Sequence, residues 1–339
     1  MNMREEAQRK DRLAALLAAI ESGTQTREEV FSVIYALLGN GESVPPRLEL
    51  CSLNYILQEN PQQVSVKQRM VSVYNLLGET PPEELRELAE GYIQEEHAAN
   101  HQEALREYAA KVGYKDFDPA FFPLFEAVRA YTMTSAERLY SLWACVRYLH
   151  ARGRKGDFME VGVWRGGSMM LAAMTLRQLK ADDRPLWLYD TFTGLPRPDE
   201  ALDTDILDNR AIDGWLPRSF DGRTSAWAYA DEEEVRANMR ETAYPEELVH
   251  FIAGKVEDTI PAVLPEKIAL LRIDTDFYSS YKHTLEYAYD RLVPGGICIL
   301  DDYGHFRGAR KAVDEFLEQR GLCVLMHRPD YSCRVFVKE

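Results

Sequence analysis

Long apolar runs and paired cysteines are both missing from this sequence. No stretch approaches the roughly 18 consecutive apolar residues of a membrane-spanning helix. The first residues, MNMREE, also lack the apolar core of a secretory signal. The five cysteines are odd in number and show no metal-ligand spacing, which indicates reduced thiols. We therefore expect a cytoplasmic protein without a membrane partner.

Basic charge is scarce as well. The chain carries 40 Lys and Arg against 55 Asp and Glu, a net charge of −15, and has no run of basic residues. Binding of nucleic acid needs a concentrated basic surface, so this composition disfavours it. His97 and His101 alone among the histidines have i,i+4 spacing, and they stand in a glutamate-rich segment typical of a solvated helix face. A small-molecule substrate is the better match.

The patterns change along the chain near residue 115. Residues 1–115 carry helical patterns alone, including the capping-box sequence of residues 26–29, and contain no catalytic constellation. We expect a helical accessory or oligomerisation region there, with docking of a substrate carrier as the alternative. Residues 116–339 instead alternate short apolar runs with helical segments, which predicts a mostly parallel sheet covered by helices on both faces.

Two short apolar runs in the second part, residues 268–273 and 297–300, each end in acidic residues. Between them, residues 279–292 place apolar side chains at helical spacing, and we expect Gly295 and Gly296 to end that helix. The pattern predicts a strand–helix–strand unit with carboxylates at the C-terminal ends of both strands.

The acids at these strand ends are Asp274 and Asp276 after the first strand, and Asp301 and Asp302 after the second. Ligands of parallel sheets bind at the carboxyl ends of the strands, so we expect the four carboxylates to converge. Like charges in a small volume raise one another's pKa. A divalent cation such as Mg²⁺ relieves this repulsion because it prefers carboxylate oxygens. A metal site is therefore favoured over the alternative of ordinary loop acids or helix caps.

A glycine-rich turn joins a predicted strand, residues 157–163, to a helix that begins at Ser168. Such a junction binds nucleotide cofactors, because glycines allow close backbone approach and the helix N-terminus attracts anionic groups. Glu160, Gly162 and the two glycines at 166–167 have a spacing that fits S-adenosylmethionine better than a dinucleotide.

The next predicted strand, residues 185–190, ends in Asp190, which is well placed to accept hydrogen bonds from ribose hydroxyls. Residues 191–245 then interrupt the alternation with a long insertion whose aromatic residues we expect to be exposed, and we interpret it as a lid over the substrate. Residues 322–327 and 332–337 predict an antiparallel hairpin that completes a seven-stranded sheet.

From about residue 130 to its C-terminus, the chain resembles the metal-dependent sugar O-methyltransferases of the macrocin, mycinamicin and novobiocin type. The resemblance implies the doubly wound sheet of the class I S-adenosylmethionine-dependent methyltransferases. The N-terminal all-helical region, predicted from its own patterns, falls mostly outside the resemblance. The stretches that match are 131–134, 157–168, 190–196, 234–238, 256–261, 274–276 and 301–304.

The resemblance also implies roles for individual residues. Asp274, Asp301 and Asp302 correspond to ligands of Mg²⁺, and Asp276 to a candidate general base; His305, which closely follows the metal acids, is a rival base. The residues that align with or line the S-adenosylmethionine site are Thr132, Met133, Glu160, Gly162, Ser168 and Asp190.

The expected activity is methylation of a hydroxyl of a sugar or glycosylated natural product, dependent on S-adenosylmethionine and Mg²⁺, by a homo-oligomer. A similar enzyme acting on a catechol-like or other small diol is the first alternative, because the same metal chemistry serves both acceptors. A nicotinamide oxidoreductase shares the doubly wound sheet, but the acid-rich strand ends disfavour it. A helical scaffold with a relic methyltransferase domain is the non-enzyme alternative.

Overall fold

The computed structural model of this chain describes residues 3–39, 43–61, 63–86, 114 and 116–339. The chain forms two compact units, one of residues 1–92 with 214–225, the other of residues 93–213 with 226–339. The predicted boundary at residue 115 adjoins residues outside the described ranges and stays a prediction. No helix in the described ranges is long and apolar enough to cross a membrane.

The first unit is helical. Thr26 and Glu29 cap its second helix reciprocally, as predicted: the Thr26 N–H donates to Glu29 Oε2 (2.8 Å) and the Glu29 N–H to Thr26 Oγ1 (3.3 Å). Buried Asn75 donates to the Leu216 carbonyl (2.9 Å), which ties the fourth helix to residues 214–225. Within the described part of residues 1–86, the helices are α1 (Met3–Ser22), α2 (Arg27–Gly39), α3 (Pro46–Glu59) and α4 (Val64–Leu76).

The second unit contains the sheet. Its strands are β1 (Asp157–Val161), β2 (Leu186–Asp190), β3 (Val249–Ala253), β4 (Ile268–Ile273), β5 (Leu292–Leu300) and β6 (Arg334–Val337). Among residues 116–339, the α-helices are α5 (Phe122–Val128), α6 (Ala136–Ala151), α7 (Gly167–Gln178), α8 (Ala211–Trp215), α9 (Glu232–Glu241), α10 (Val256–Thr259), α11 (Tyr278–Ala288) and α12 (Arg307–Gln319).

The strand order is β3-β2-β1-β4-β5-β6, parallel throughout except for the antiparallel pair β5–β6. Leu270 and Leu271 are neighbours in β4, yet they belong to two different apolar clusters, because successive side chains of a strand point to opposite faces. The sheet is thus buried on both faces, which confirms the doubly wound fold. The order reverses between β1 and β4, and ligands bind at such a point.

The predicted strand–helix–strand unit is present as β4, α11 and β5, but the predicted role of its glycines is wrong. Helix α11 ends at Ala288, and β5 already begins at Leu292, so Gly295 and Gly296 lie inside the strand. Gly295 N–H donates to the Lys338 carbonyl (2.6 Å), and Lys338 N–H donates to the Gly296 carbonyl (2.8 Å). Pairing with a segment distant in sequence decides the conformation here.

The predicted seven-stranded sheet is also corrected, since six strands are present within residues 116–339. The first arm of the predicted hairpin forms no regular strand: residue His327 alone pairs with Val335, through N–H donors in both directions (2.8 and 2.9 Å). Leu325 in this arm is 92% exposed, so there is little burial to hold it in the sheet.

The long insertion differs from its predicted character. Trp215 is fully buried, and Phe220, Trp227 and Tyr229 are half-buried, so the expectation of exposed aromatics is wrong. These side chains contribute to packing, which composition alone does not reveal. The interpretation of residues 191–245 as a lid stays a prediction.

Candidate active site

A cavity of about 300 Å³ opens at the C-terminal ends of β1, β2, β4 and β5. This is where the reversal of strand order leaves a crevice in a doubly wound sheet. Every predicted site residue other than Glu160 borders the cavity: Thr132, Met133, Gly162, Ser168, Asp190, Asp274, Asp276, Asp301, Asp302 and His305. Trp227, from the insertion interpreted as a lid, and Lys255 also line it; the sequence context of Lys255 contains no signal for that position.

In the turn after β1, position 162 requires glycine. Gly162 has a φ of +82°, and a Cβ placed on it would lie 1.8 Å from the Asp274 carbonyl oxygen. Gly166, with a φ of +89°, forms the N-cap of α7. The close approach of the β1 and β4 ends therefore depends on the glycine-rich turn, as its position before a helix predicts.

Asp190 holds this turn from the end of β2. Its Oδ2 accepts hydrogen bonds from the backbone N–H groups of Val163 (2.8 Å) and Trp164 (3.1 Å), and its Oδ1 accepts from Phe192 N–H (2.9 Å). Burial raises the pKa of Asp190, although these donors oppose the shift. Asp190 thus shapes the turn while bordering the cavity; its predicted bonds to a ribose stay a prediction.

The two predicted cofactor contacts before α6 lie in the chain that enters that helix. Thr132 is buried, and its hydroxyl accepts a hydrogen bond from Thr134 N–H (3.2 Å). Met133 is 41% exposed at the cavity. Ser168 is buried in the first turn of α7. One polar side chain, one apolar side chain and one helix N-terminus therefore border the same cavity.

The predicted metal acids meet in space. Asp274, Asp301 and Asp302 each offer a carboxylate oxygen, and these atoms lie within 4.8 Å of one another. Burial raises the pKa of Asp274 to about 6. Burial, together with the negative charges of Asp276 and Asp274, raises the pKa of Asp302 well above its ordinary value. Burial and mutual repulsion make the ionised forms of these carboxyl groups unfavourable, and a divalent cation relieves that repulsion.

Sequence reasoning missed a cation inside this cluster. Arg272, whose side chain is 4% exposed, lies in β4 and donates to Asp274 Oδ2 (2.7 Å) and Asp301 Oδ1 (2.5 Å). A signal was available, because Arg272 is the one charged residue in an otherwise apolar buried strand. Buried charges are rare unless they are paired, so its partners could have been sought among the nearby acids.

Glu160 is placed apart from the cavity lining. It is 1% exposed, is the register partner of Arg272 across β1 and β4, and forms an ion pair with that guanidinium. Its Oε2 is buried without a hydrogen-bond partner, and burial raises its pKa to about 8. Direct contact between Glu160 and a cofactor stays a prediction. The structure shows Glu160 beside Arg272, paired with its guanidinium.

Arg138 on α6 is the second cation that the sequence did not reveal. Its Nη1 pairs with Asp301 Oδ2, and its Nε lies 3.0 Å from Asp330 Oδ2. These guanidinium charges reverse the effect of burial on Asp301: burial alone raises its pKa, but Arg138 and Arg272 lower it below the ordinary value. Asp301 is thus held as a carboxylate.

Both candidate bases border the cavity beside the acids. Asp276 has a φ of +63°, and its N–H donates to Asp302 Oδ2 (3.0 Å), which fixes the residue next to the acid cluster. The His305 Nδ1 lies 3.4 Å from the Tyr331 hydroxyl. Burial lowers the pKa of His305, so its imidazole is neutral and able to accept a proton at pH 7.

Comparison with known proteins gives concordant matches. The family model described as macrocin-O-methyltransferase (TylF) matches residues 78–338. The chain is 34% identical over 199 residues to mycinamicin III 3''-O-methyltransferase of Micromonospora griseorubida, which covers 57% of this chain and 72% of that protein.

A second relative is 8-demethyl-8-(2,3-dimethoxy-alpha-L-rhamnosyl)-tetracenomycin-C 4'-O-methyltransferase of Streptomyces olivaceus. It is 32% identical over 210 residues, which cover 62% of this chain and 76% of that protein. Among solved structures, the O-methyltransferase NovP superposes with a TM-score of 0.54 at 29% identity, over 74% of this chain and 99% of NovP.

Proposed function

The chain belongs to the macrocin O-methyltransferase (TylF) family, and we propose that it methylates a sugar hydroxyl of a glycosylated natural product, using S-adenosylmethionine and a divalent cation such as Mg²⁺. The names of its relatives support this acceptor class, since one is named for a tetracenomycin substrate that carries a dimethoxyrhamnosyl group. Family membership favours this activity over a nicotinamide oxidoreductase.

The observation that carries the proposal is the convergence of Asp274, Asp301 and Asp302 in the cavity that also contains the turn at Gly162. Three carboxylates within 4.8 Å of one another form a donor set that suits a hard divalent cation. The raised pKa of Asp274 and Asp302 supports the same fit, because a bound cation stabilises the ionised forms.

The chemistry divides between cofactor, cation and protein. S-adenosylmethionine supplies an activated methyl group, and a divalent cation supplies a Lewis acid that eases loss of the hydroxyl proton. Asp276 and His305 border the cavity next to the acids, and we assign removal of that proton to Asp276, with His305 as the rival. The cavity walls orient the acceptor and exclude water. Most of the rate enhancement over the uncatalysed reaction comes from this positioning and from stabilisation of charge.

Substitution of the two candidate bases distinguishes them. We expect Asp276→Asn to lower kcat by about a hundredfold or more, because general-base catalysis contributes about 10²–10⁴-fold. We expect His305→Gln to leave kcat within about tenfold, since loss of the Tyr331 contact affects positioning alone. The measurement is kcat and KM of each purified variant; a larger loss of kcat in His305→Gln would reassign the base.

Cation affinity is expected to rise with pH. Burial raises the folded-state pKa of Asp274 to about 6 and that of Asp302 further above its ordinary value, so protons compete with the cation. We expect Mg²⁺ to bind weakly near pH 5.5 and more tightly as the pH increases above the pKa of Asp274, about 6. Calorimetric titrations at several pH values test this; affinity independent of pH would contradict it.

The overall test is calorimetric titration of S-adenosylmethionine and then Mg²⁺, followed by assays with and without a chelator. The assays use glycosides and phenolic diols in parallel. Cation-dependent methylation of glycosides supports the proposal. Preference for the phenolic diols would assign the protein to the catechol-like alternative, and full activity with the chelator would exclude the cation.

The remaining assignments concern regions outside the cavity. Residues 1–115 are proposed to be an accessory or oligomerisation region, and the protein a homo-oligomer. Within the described ranges the first unit has apolar side chains on its surface, with Tyr35 70% and Leu38 56% exposed. Light scattering of the full chain gives the subunit number, and a monomer would contradict this assignment.

A further inference from the structure

Both oxygens of one predicted metal ligand already have cationic partners. Asp301 is 1% exposed; its Oδ1 accepts from Arg272 Nη2 (2.5 Å), and its Oδ2 pairs with Arg138 Nη1. A cation bound at Asp301 would share a carboxylate oxygen with one of these guanidinium groups, and the two positive charges would repel one another at close range. This repulsion favours displacement of one of the two guanidinium groups when Asp301 serves as a ligand.

The two arginines differ in their freedom to move. Arg272 lies within β4, its side chain is 4% exposed, and it also pairs with Glu160 and with Asp274 (2.7 Å). Arg138 projects from α6, its side chain is 15% exposed, and it borders the cavity. Arg272 is therefore held by three strands, whereas Arg138 has room to leave Asp301.

A second partner for Arg138 is already in place. Asp330 Oδ2 lies 3.0 Å from Arg138 Nε and accepts from the Ser135 hydroxyl (2.8 Å). Its Oδ1 accepts from the N–H groups of Ser332 (2.9 Å) and Cys333 (2.8 Å). These hydrogen bonds hold the Asp330 side chain in place within reach of Arg138, so a guanidinium that leaves Asp301 still has an acidic partner.

From this geometry we propose that Arg138 is a placeholder for the cation: it neutralises Asp301 while the cation is absent, and shifts onto Asp330 when the cation binds. The inference rests on the proposed function, because it requires a cation at Asp274, Asp301 and Asp302. It identifies Arg138 as a positioning residue that sets cation affinity and keeps the cation-free acids from repelling one another.

The physical reason is competition between like charges. A guanidinium and a divalent cation on the same carboxylate repel one another over a few ångströms, and this energy is large in a poorly solvated site. Binding of the cation therefore includes the work of displacing Arg138. Removal of the Arg138 charge eliminates that work, whereas damage to the site by a structural defect would weaken cation binding. The sign of the change separates the two explanations.

The test is calorimetric titration of Mg²⁺ alone, without cofactor, into the full chain and its Arg138→Gln variant. We expect Arg138→Gln to bind Mg²⁺ at least about tenfold more tightly, because a repelling charge is removed. The increase in Tm on addition of Mg²⁺ should grow accordingly. Asp330→Asn should do the opposite and weaken Mg²⁺ binding, because Arg138 then retains Asp301 as its one carboxylate partner.

Arg165→Gln is a matched control. The Arg165 side chain is 20% exposed and pairs with Glu234 (2.5 Å). The variant therefore also loses a paired, largely buried guanidinium, but one that lies outside the acid cluster. We expect its Mg²⁺ affinity to equal that of the wild type. Circular dichroism of each variant establishes that it is folded before titration.

Two results would overturn the inference, and they are distinguishable. If the wild type takes up no Mg²⁺, the cation part of the proposed function fails and the inference falls with it. If the wild type binds Mg²⁺ but folded Arg138→Gln binds it no more tightly, the placeholder role alone is wrong. Arg138→Lys gives a further check: it keeps the charge, so its affinity should stay close to that of the wild type.

Discussion

Asp301→Asn is expected to abolish Mg²⁺ uptake and to lower kcat/KM by about a thousandfold, equivalent to about 4 kcal/mol of transition-state stabilisation. The substitution removes one charged ligand from a group of three. It also leaves Arg138 and Arg272 facing one carboxylate fewer, and their charges oppose a cation. Calorimetry and steady-state kinetics measure both losses in the same preparation.

Binding of S-adenosylmethionine should change little in this variant, because the turn at Gly162 and Asp190 forms independently of the Asp301 carboxylate. Asp314→Asn is the control: Asp314 is half exposed, accepts from the Tyr303 hydroxyl (2.7 Å), and does not border the cavity. Activity of Asp301→Asn that persists in the presence of a chelator would show that the reaction does not need the cation.

Gly162→Ala is expected to destabilise the protein by about 4 kcal/mol or more and to abolish cofactor binding, a size of effect that requires strain or a clash in the core. The new Cβ would lie 1.8 Å from the Asp274 carbonyl oxygen, in a residue whose φ is +82°. Relief of the clash means separating the ends of β1 and β4, and with them the cofactor turn and Asp274. Urea denaturation gives the free energy of unfolding.

Gly153→Ala separates the clash from backbone strain. Gly153 has a φ of +61°, close to that of Gly162, but no atom lies within 4 Å of the added Cβ. We expect it to cost about 1–2 kcal/mol, the price of a left-handed conformation for alanine. Equal losses of stability in the two variants would show that the approach of β1 to β4 is not what the glycine at 162 permits.

Local patterns in the sequence were sufficient to predict the elements that form the candidate site. Apolar runs that end in acids gave β4 and β5, and the parallel arrangement of those strands brought Asp274, Asp301 and Asp302 together, as predicted. The glycines at 162 and 166 marked the turn between β1 and α7 in the same way. Both predictions depend on residues close in the chain and on one general rule about where parallel strands end.

Predictions that depended on long-range pairing were less successful. The helix predicted to end at Gly295 ends at Ala288, because the segment around Lys338 recruits Gly295 and Gly296 into the sheet. The sheet has six strands within the described second unit, since the arm that contains Leu325 buries too little to form a seventh. Periodicity does not record which distant backbone groups are available as partners.

The sequence by itself determined the doubly wound sheet, the glycine-rich turn after β1 and the grouping of Asp274, Asp301 and Asp302, because hydrophobic periodicity and glycine placement act between near neighbours in the chain. The tertiary structure alone decided which of the carboxyl groups of Asp274, Asp301 and Asp302 are held ionised. Arg138 reaches Asp301 across 163 residues, and Arg272 meets Glu160 across 112. Electrostatic energy depends on the distance between charges in space and on their burial, and neither can be inferred from the spacing of residues along the chain.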